Sequence, residues 1–202
     1  MNGNAILGGY QSDFARNCRK EGRSIGDLVA EVVEGTLARS GIGAEAIETI
    51  HVANAFGELY TGQAHLGAMP ATVVPALWGK PAMRHEGACA SGSLATLAAM
   101  AELEAGRYDC ALVLGAEIEK SLPGAEGAAV QAAAAHVGHE TANPALLWPS
   151  MFDRIAAAYD ERYGLDDRHL RAIGQLNLEN AKANPNAQTR SWALDAKSCS
   201  DD

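Results

Sequence analysis

Apolar and polar positions alternate with two different rhythms over the first 116 residues. Leu28, Val29, Val32, Val33 and Leu37 recur at helical spacing. Ser24 stands just before them as an N-cap, with Asp27 three residues on as its capping-box partner. Gly41-Ile42-Gly43 stops that helix. The other rhythm is short and strand-like: Ala5–Tyr10, Ile47–Asn54, Pro81–Arg84 and Cys110–Ala116. The last of these is a continuous apolar run, the pattern of a buried parallel strand. Residues 63–77 are partly helical, broken by Pro70 and Pro75. Leu94–Leu103 reads as a helix ended by Gly106. Leu94, Leu97, Ala98, Ala101 and Ala105 share one stripe of it, which predicts close packing and burial on several sides. Strand and helix thus alternate four times over residues 5–116. That order predicts an α/β fold with a mostly parallel sheet and helices on its faces.

The rhythm changes after Lys120. Leu122-Pro123-Gly124 is a turn, and Ala125–Ala135 is alanine-rich, either helix or loop. Asn143-Pro144 and Trp148-Pro149 punctuate an irregular stretch. Met151–Arg162 is amphipathic, with Phe152, Ile155, Ala156 and Tyr159 on one face, and ends at Gly164. A last helix, capped by Asp166 or Asp167, puts Leu170, Ile173, Asn177 and Ala181 on one face. The aromatics here (Trp148, Phe152, Tyr159) suit a bulky apolar lining and helix packing equally well.

Composition narrows the function classes. The net charge is −9, from 16 basic and 25 acidic residues, with no basic run, which argues against nucleic acid as a partner. No apolar run approaches the ~18 residues of a membrane span, so no membrane partner is expected. The N-terminus lacks a charged-then-apolar signal pattern. The four cysteines, Cys18, Cys89, Cys110 and Cys199, are far apart and form no C-x-x-C pair. They read as thiols in a reducing compartment, hence a cytoplasmic location, or a peroxisomal or mitochondrial one in a eukaryote.

The candidate chemistry centres on Cys89. His85-Glu86-Gly87-Ala88-Cys89-Ala90-Ser91-Gly92-Ser93 links a strand to a helix. A thiol there meets free backbone N–H groups and the positive end of the helix dipole, both of which favour the thiolate. Small flanking residues let a substrate carbonyl approach. The competing reading is a buried structural thiol. A G-x-S-x-G-like elbow fits only partly, since Gly87 is two residues before Cys89 but Gly92 is three after. His85 is more than ~10 Å along an extended chain from Cys89, which argues against direct pairing. His136 and His139 share a helical face, but a complete metal site is not evident, so no metal is expected. Glu117 and Glu119 read as structural carboxylates, Cys110 as core, and Cys18 and Cys199 as incidental. Walker and G-x-G-x-x-G loops are absent.

Glu86-Gly87-Ala88-Cys89-Ala90-Ser91-Gly92-Ser93 resembles the nucleophile motif of thiolases. Glu104–Glu117 matches their E-x-G-x-x-D-x-x-L-x-x-G-x-E continuation. His51–Glu58 and Asn184–Gln188 are similar to segments of sterol-carrier-protein-type thiolases, and the similarity runs in order through the whole chain. The resemblance implies the first half of a thiolase-like layered sandwich, with a mostly parallel or mixed sheet, over residues 1–119. It implies a largely helical loop domain over 120–202 that covers coenzyme A. It further implies acyl transfer on CoA thioesters, by thiolytic cleavage of a 3-ketoacyl-CoA or the reverse Claisen condensation. Cys89 would be the acylated nucleophile, its N–H one oxyanion donor, and Met151 a pocket-lining residue. Acyl-CoA is then substrate rather than a resident cofactor, and the expected assembly is a homodimer or higher oligomer.

The family's second-half motifs are missing from these residues: the G-H-P histidine, the N-E-A-F-like asparagine and the C-x-G cysteine. Condensation therefore needs a C-terminal half that this chain does not hold. The chain reads as a fragment of a thiolase, as a short chain completed by a second subunit, or as a non-catalytic interaction subunit of an acyl-CoA complex. A ketosynthase-type condensing enzyme is a further alternative, although Ala90-Ser91-Gly92 fits a thiolase better than the Ser-rich ketosynthase pattern.

Overall fold

The computed structural model describes residues 3–141 and 146–193. In chain order the main elements are α1 (Ile25–Ser40), β1 (Thr49–Ala53), α2 (Gly57–Thr61), α3 (Met69–Val73), β2 (Ala82–His85), α4 (Ser91–Glu104), β3 (Ala111–Gly115), α5 (Gly124–Gln131), α6 (Leu147–Tyr163) and α7 (Asp167–Ala183), with short 3-10 turns between some of them. The three strands form a parallel sheet in the order β2-β1-β3. The α/β class read from the sequence is the one observed.

The sequence signals for α1 hold at atomic detail. Ser24 Oγ accepts the Asp27 N–H at 3.2 Å, and the Asp27 carboxylate accepts the Ser24 N–H at 2.7 Å. Gly41 closes the helix in the left-handed region, φ +70°, where a side chain is disfavoured. The broken helix expected over 63–77 appears as α3 between two 3-10 turns.

Central strand β1 is buried along its whole length. Its side chains alternate between two unlike faces. Ile50 and Val52 join Leu28, Val29, Val32 and Val33 of α1 and Leu112 and Leu114 of β3 in one aliphatic core. Thr49, His51 and Ala53 point the other way, toward α4, which packs across all three strands.

Three expectations are corrected. Ala5–Tyr10 forms no strand: Ile6 and Leu7 are 94% and 61% exposed. A strand needs an edge to bond to, and none of the three strands pairs with this segment. Tyr10 is anchored by its hydroxyl, which donates to Glu31 at 2.9 Å. In α4 the face toward the sheet is Ser91, Ala95 and Ala99, while Leu94, Leu97, Ala101 and Ala105 are exposed. A helix lying close against a sheet admits only small side chains at the contact, so the larger ones turn outward. Trp148-Pro149 falls within the first turn of α6 rather than an irregular stretch. Proline is tolerated there because the first N–H groups of a helix lack intrahelical acceptors. Asn143-Pro144 and Cys199 lie outside the described residues.

Beyond β3 the alanine-rich stretch is helical, as α5 and a following 3-10 turn. The apolar faces expected on α6 and α7 exist but are uncovered: Phe152, Ile155, Tyr159, Leu170 and Ile173 are all at least half exposed. Asp166 caps α7, accepting the Arg168 N–H at 3.0 Å. No helix of the described residues is long and apolar enough to cross a membrane.

Candidate active site

The chain leaves β2 at His85 and reverses direction over five residues before α4 begins. Short-range hydrogen bonds hold the turn on both sides of Cys89. Glu86 Oε1 accepts the Ala88 N–H at 2.6 Å. The Ser91 hydroxyl accepts the Gly87 N–H at 3.1 Å and donates to the Ala88 carbonyl at 2.7 Å, while the Ala90 N–H reaches the Gly87 carbonyl at 2.9 Å. Buried Ser91 thereby clamps both sides of the turn. The tightness shows at Ala88, a non-glycine residue at φ +49°. That region costs an L-residue about 1–2 kcal/mol. The strained residue sits directly before Cys89, whose free thiol is exposed at the crest. α4 begins two residues on, so developing negative charge beside Cys89 meets the positive end of the helix.

Cys89 lines a cavity of about 490 Å³. Its walls come from the carboxyl ends of all three parallel strands: Ala53–Phe56 after β1, the cysteine turn after β2, and Gly115–Ser121 after β3. Ligands of open α/β sheets bind at this end. The N-terminal segment, including Asp13, Phe14, Arg16 and Cys18, closes a further side. A second hollow of about 580 Å³ lies beside Tyr10, Arg23, Asp27 and Glu31, away from the cysteine. Its Glu31 is taken up by Arg16, Arg23 and Tyr10.

The loops around the cysteine are tied by side chains rather than by sheet bonds. Asn54 donates from Nδ2 to the Ala116 carbonyl at 2.5 Å and accepts the Gly57 N–H at 2.7 Å. Glu117 Oε2 accepts the N–H groups of Ala55 and Phe56, both at 3.0 Å; its Oε1 is buried without a partner. Both carboxylate assignments as structural are consistent with this: Glu117 joins the β1 and β3 loops, and Glu119 accepts from Gln131 at 3.2 Å. Burial, with Glu117 nearby, raises the Glu119 carboxyl above its ordinary value. Lys120 spans the cavity rim, donating to the Phe14 and Ala15 carbonyls at 3.0 and 2.8 Å.

Other residues singled out in the sequence lie elsewhere. His85 does not line the Cys89 cavity; its Nε2 is 2.9 Å from His51 Nδ1, and the rings stack with centroids 5.1 Å apart. His136 and His139 stack on each other at 5.2 Å, and no group of potential metal ligands occurs among the described residues. Cys110 packs half-buried against the aliphatic core, where burial first and then Glu48 push its thiol up. Cys18 shares the cavity with Cys89. Met151, in the first half of α6, is half-buried and not among the cavity-lining residues. Sequence reasoning missed the buried cluster of Thr49, His51, His85 and Glu102. Its one signal was polar residues at alternate positions of a strand that is otherwise apolar.

The thiolase N-terminal domain model matches residues 5–189. The acetyl-CoA acetyltransferase of Methanothermobacter thermautotrophicus is 28% identical over 184 residues, 91% of this chain and 46% of the relative. That of Methanocaldococcus jannaschii is 30% identical over 184 residues, covering 91% and 45%. Sterol carrier protein 2 of Bos taurus is 27% identical over 184 residues, covering 87% and 33%. The chain thus spans less than half the length of these curated relatives.

Proposed function

The chain belongs to the thiolase family through its N-terminal domain, and on that premise we propose that it carries the acyl-cysteine half of an acyl transfer between CoA thioesters. The observation that carries this reading is the placement of Cys89. An exposed thiol follows a strained residue, at a helix N-terminus, in a cavity at the carboxyl ends of three parallel strands. The Cys89 Sγ, its proton given up to solvent, attacks the thioester carbonyl carbon, and the carbonyl oxygen becomes an oxyanion. The Cys89 backbone N–H stabilises it. As the intermediate collapses, the carbon–sulfur bond to coenzyme A breaks. The acyl group stays on Cys89, and the coenzyme leaves as a thiolate that takes up a proton.

The second half of the reaction needs a base to deprotonate the second acyl-CoA. No histidine lines the cavity among the described residues; of its carboxylates, Asp13 is engaged by Arg190 at 2.8 Å, Glu117 by the Ala55 and Phe56 N–H groups, and Glu119 by Gln131. The base would come from a further polypeptide segment or from a second subunit, within a homodimer or larger assembly. The acyl chain would lie in the cavity.

A stopped-time assay of coenzyme A release from acetyl-CoA tests this. We expect one equivalent released per chain without further turnover, and none from Cys89→Ser. Undiminished release from Cys89→Ser would overturn the assignment.

A further inference from the structure

Beneath α4, on the face of the sheet opposite the aliphatic core, four polar side chains form a chain of hydrogen bonds. Glu102 Oε2 accepts from the Thr49 hydroxyl at 3.0 Å and lies 3.1 Å from His51 Nε2. His51 Nδ1 lies 2.9 Å from His85 Nε2. The His51 and Thr49 side chains are fully buried, and Glu102 is 15% exposed. A carboxylate only accepts, so it fixes the His51 proton on Nε2. His51 Nδ1 then accepts, and His85 Nε2 donates. Each ring is oriented by the next, back to a carboxylate on α4. The last ring belongs to the final residue of β2, three residues ahead of the strained Ala88.

We infer that Glu102, acting through His51, makes His85 a positioning residue for the cysteine turn, and that opening this cluster takes up a proton. The inference rests on the acyl-transfer proposal for its importance, since that makes the turn the reacting element. The brace itself is measurable without any acyl transfer.

The proton uptake follows from where His85 sits. Burial, and then the neighbouring His51 ring, lower its affinity for a proton below the ordinary value of 6.5, with Glu102 opposing both. Other charged groups nearby are engaged or exposed. Arg84, one residue before and so on the other sheet face, is held by Glu58 and by the Asn54 and Ala55 carbonyls. Glu48 accepts the Asp109 N–H, Glu104 accepts from Asn4, and His65, ahead of the turn packed on β2, is exposed. When the cluster opens, the His85 ring regains its ordinary affinity. A group whose folded value is depressed stabilises the closed form above 6.5. That contribution is lost as pH falls toward the folded value, by up to about tenfold in the opening equilibrium per pH unit. Below pH 6.5 the turn therefore opens more often.

Hydrogen exchange resolved to the amides of Gly87–Ser91, corrected for intrinsic exchange chemistry, tests this between pH 8 and 5. In the unaltered chain, opening is expected to be constant above 6.5 and to rise below it. His85→Gln keeps a donor to His51 but cannot titrate, and should flatten the profile. Glu102→Gln removes the opposing charge and should carry the rise to lower pH. A flat profile in the unaltered chain, or an unchanged rise in His85→Gln, would overturn the inference. Should His85→Gln fail to fold, the Glu102→Gln profile decides it: a rise that stops at the same pH as in the unaltered chain overturns it. Absence of a Cys89 acyl adduct alongside the expected exchange profile would overturn the acyl-transfer proposal and leave the brace standing.

Discussion

The two faces of the sheet are made from one strand yet built on different physics. On the α1 face, Ile50 and Val52 meet branched aliphatic side chains, and stability there comes from area removed from water. On the α4 face, Thr49 and His51 meet alanines and a carboxylate. Little apolar area is gained there. Close approach and directional bonds instead fix where α4 starts, and hence where Cys89 sits. The first face tolerates changes of shape at a graded cost; on the second, a side chain larger than alanine displaces the helix. The lesson is that a strand buried on both sides need not have two equivalent cores.

The sharpest way to break this comparison is Ile50→Ala on the aliphatic face. Ile50 is fully buried, and the change should cost about 2–5 kcal/mol in urea denaturation, with the reactivity of the remaining folded Cys89 unaltered. On the α4 face, Ala99→Leu forces a larger side chain between helix and sheet. It should cost about 1–3 kcal/mol, and it should also alter the rate of Cys89 alkylation by iodoacetamide, because α4 must shift. If Ile50→Ala changed that rate as much as Ala99→Leu does, the division of labour between the faces would fail. The smallest effect is expected from Thr49→Val, which keeps the shape but removes one donor to Glu102. It should cost about 1 kcal/mol in the same denaturation assay.

Legibility in the sequence follows the same division. The aliphatic face was readable because its signals are local and periodic: the Ser24–Asp27 cap, the Leu28–Val33 spacing and the Cys110–Ala116 run each point to one element. The position of Cys89 at a strand–helix turn was readable from flanking small residues. The α4 face was not. Which stripe of an alanine-rich helix faces a sheet depends on what the sheet presents, and Leu94 and Leu97 mark the outer side rather than the inner one. The His51–His85 pairing joins residues 34 positions apart through strand register, which spacing along the chain does not encode. Ala5–Tyr10 shows the converse: its apolar run has strand character, but strand formation needs a partner edge.

The central claim is that the turn selects Cys89 for acylation. Incubating the chain with acetyl-CoA, digesting it and mapping thioester-linked acetyl groups by mass spectrometry tests this most directly, because Cys18 lines the same cavity and Cys110 lies in the same fold. The account predicts acetyl on Cys89 and little on Cys18 or Cys110. Acetyl spread evenly over the three thiols, or found on Cys18 in preference to Cys89, would contradict it.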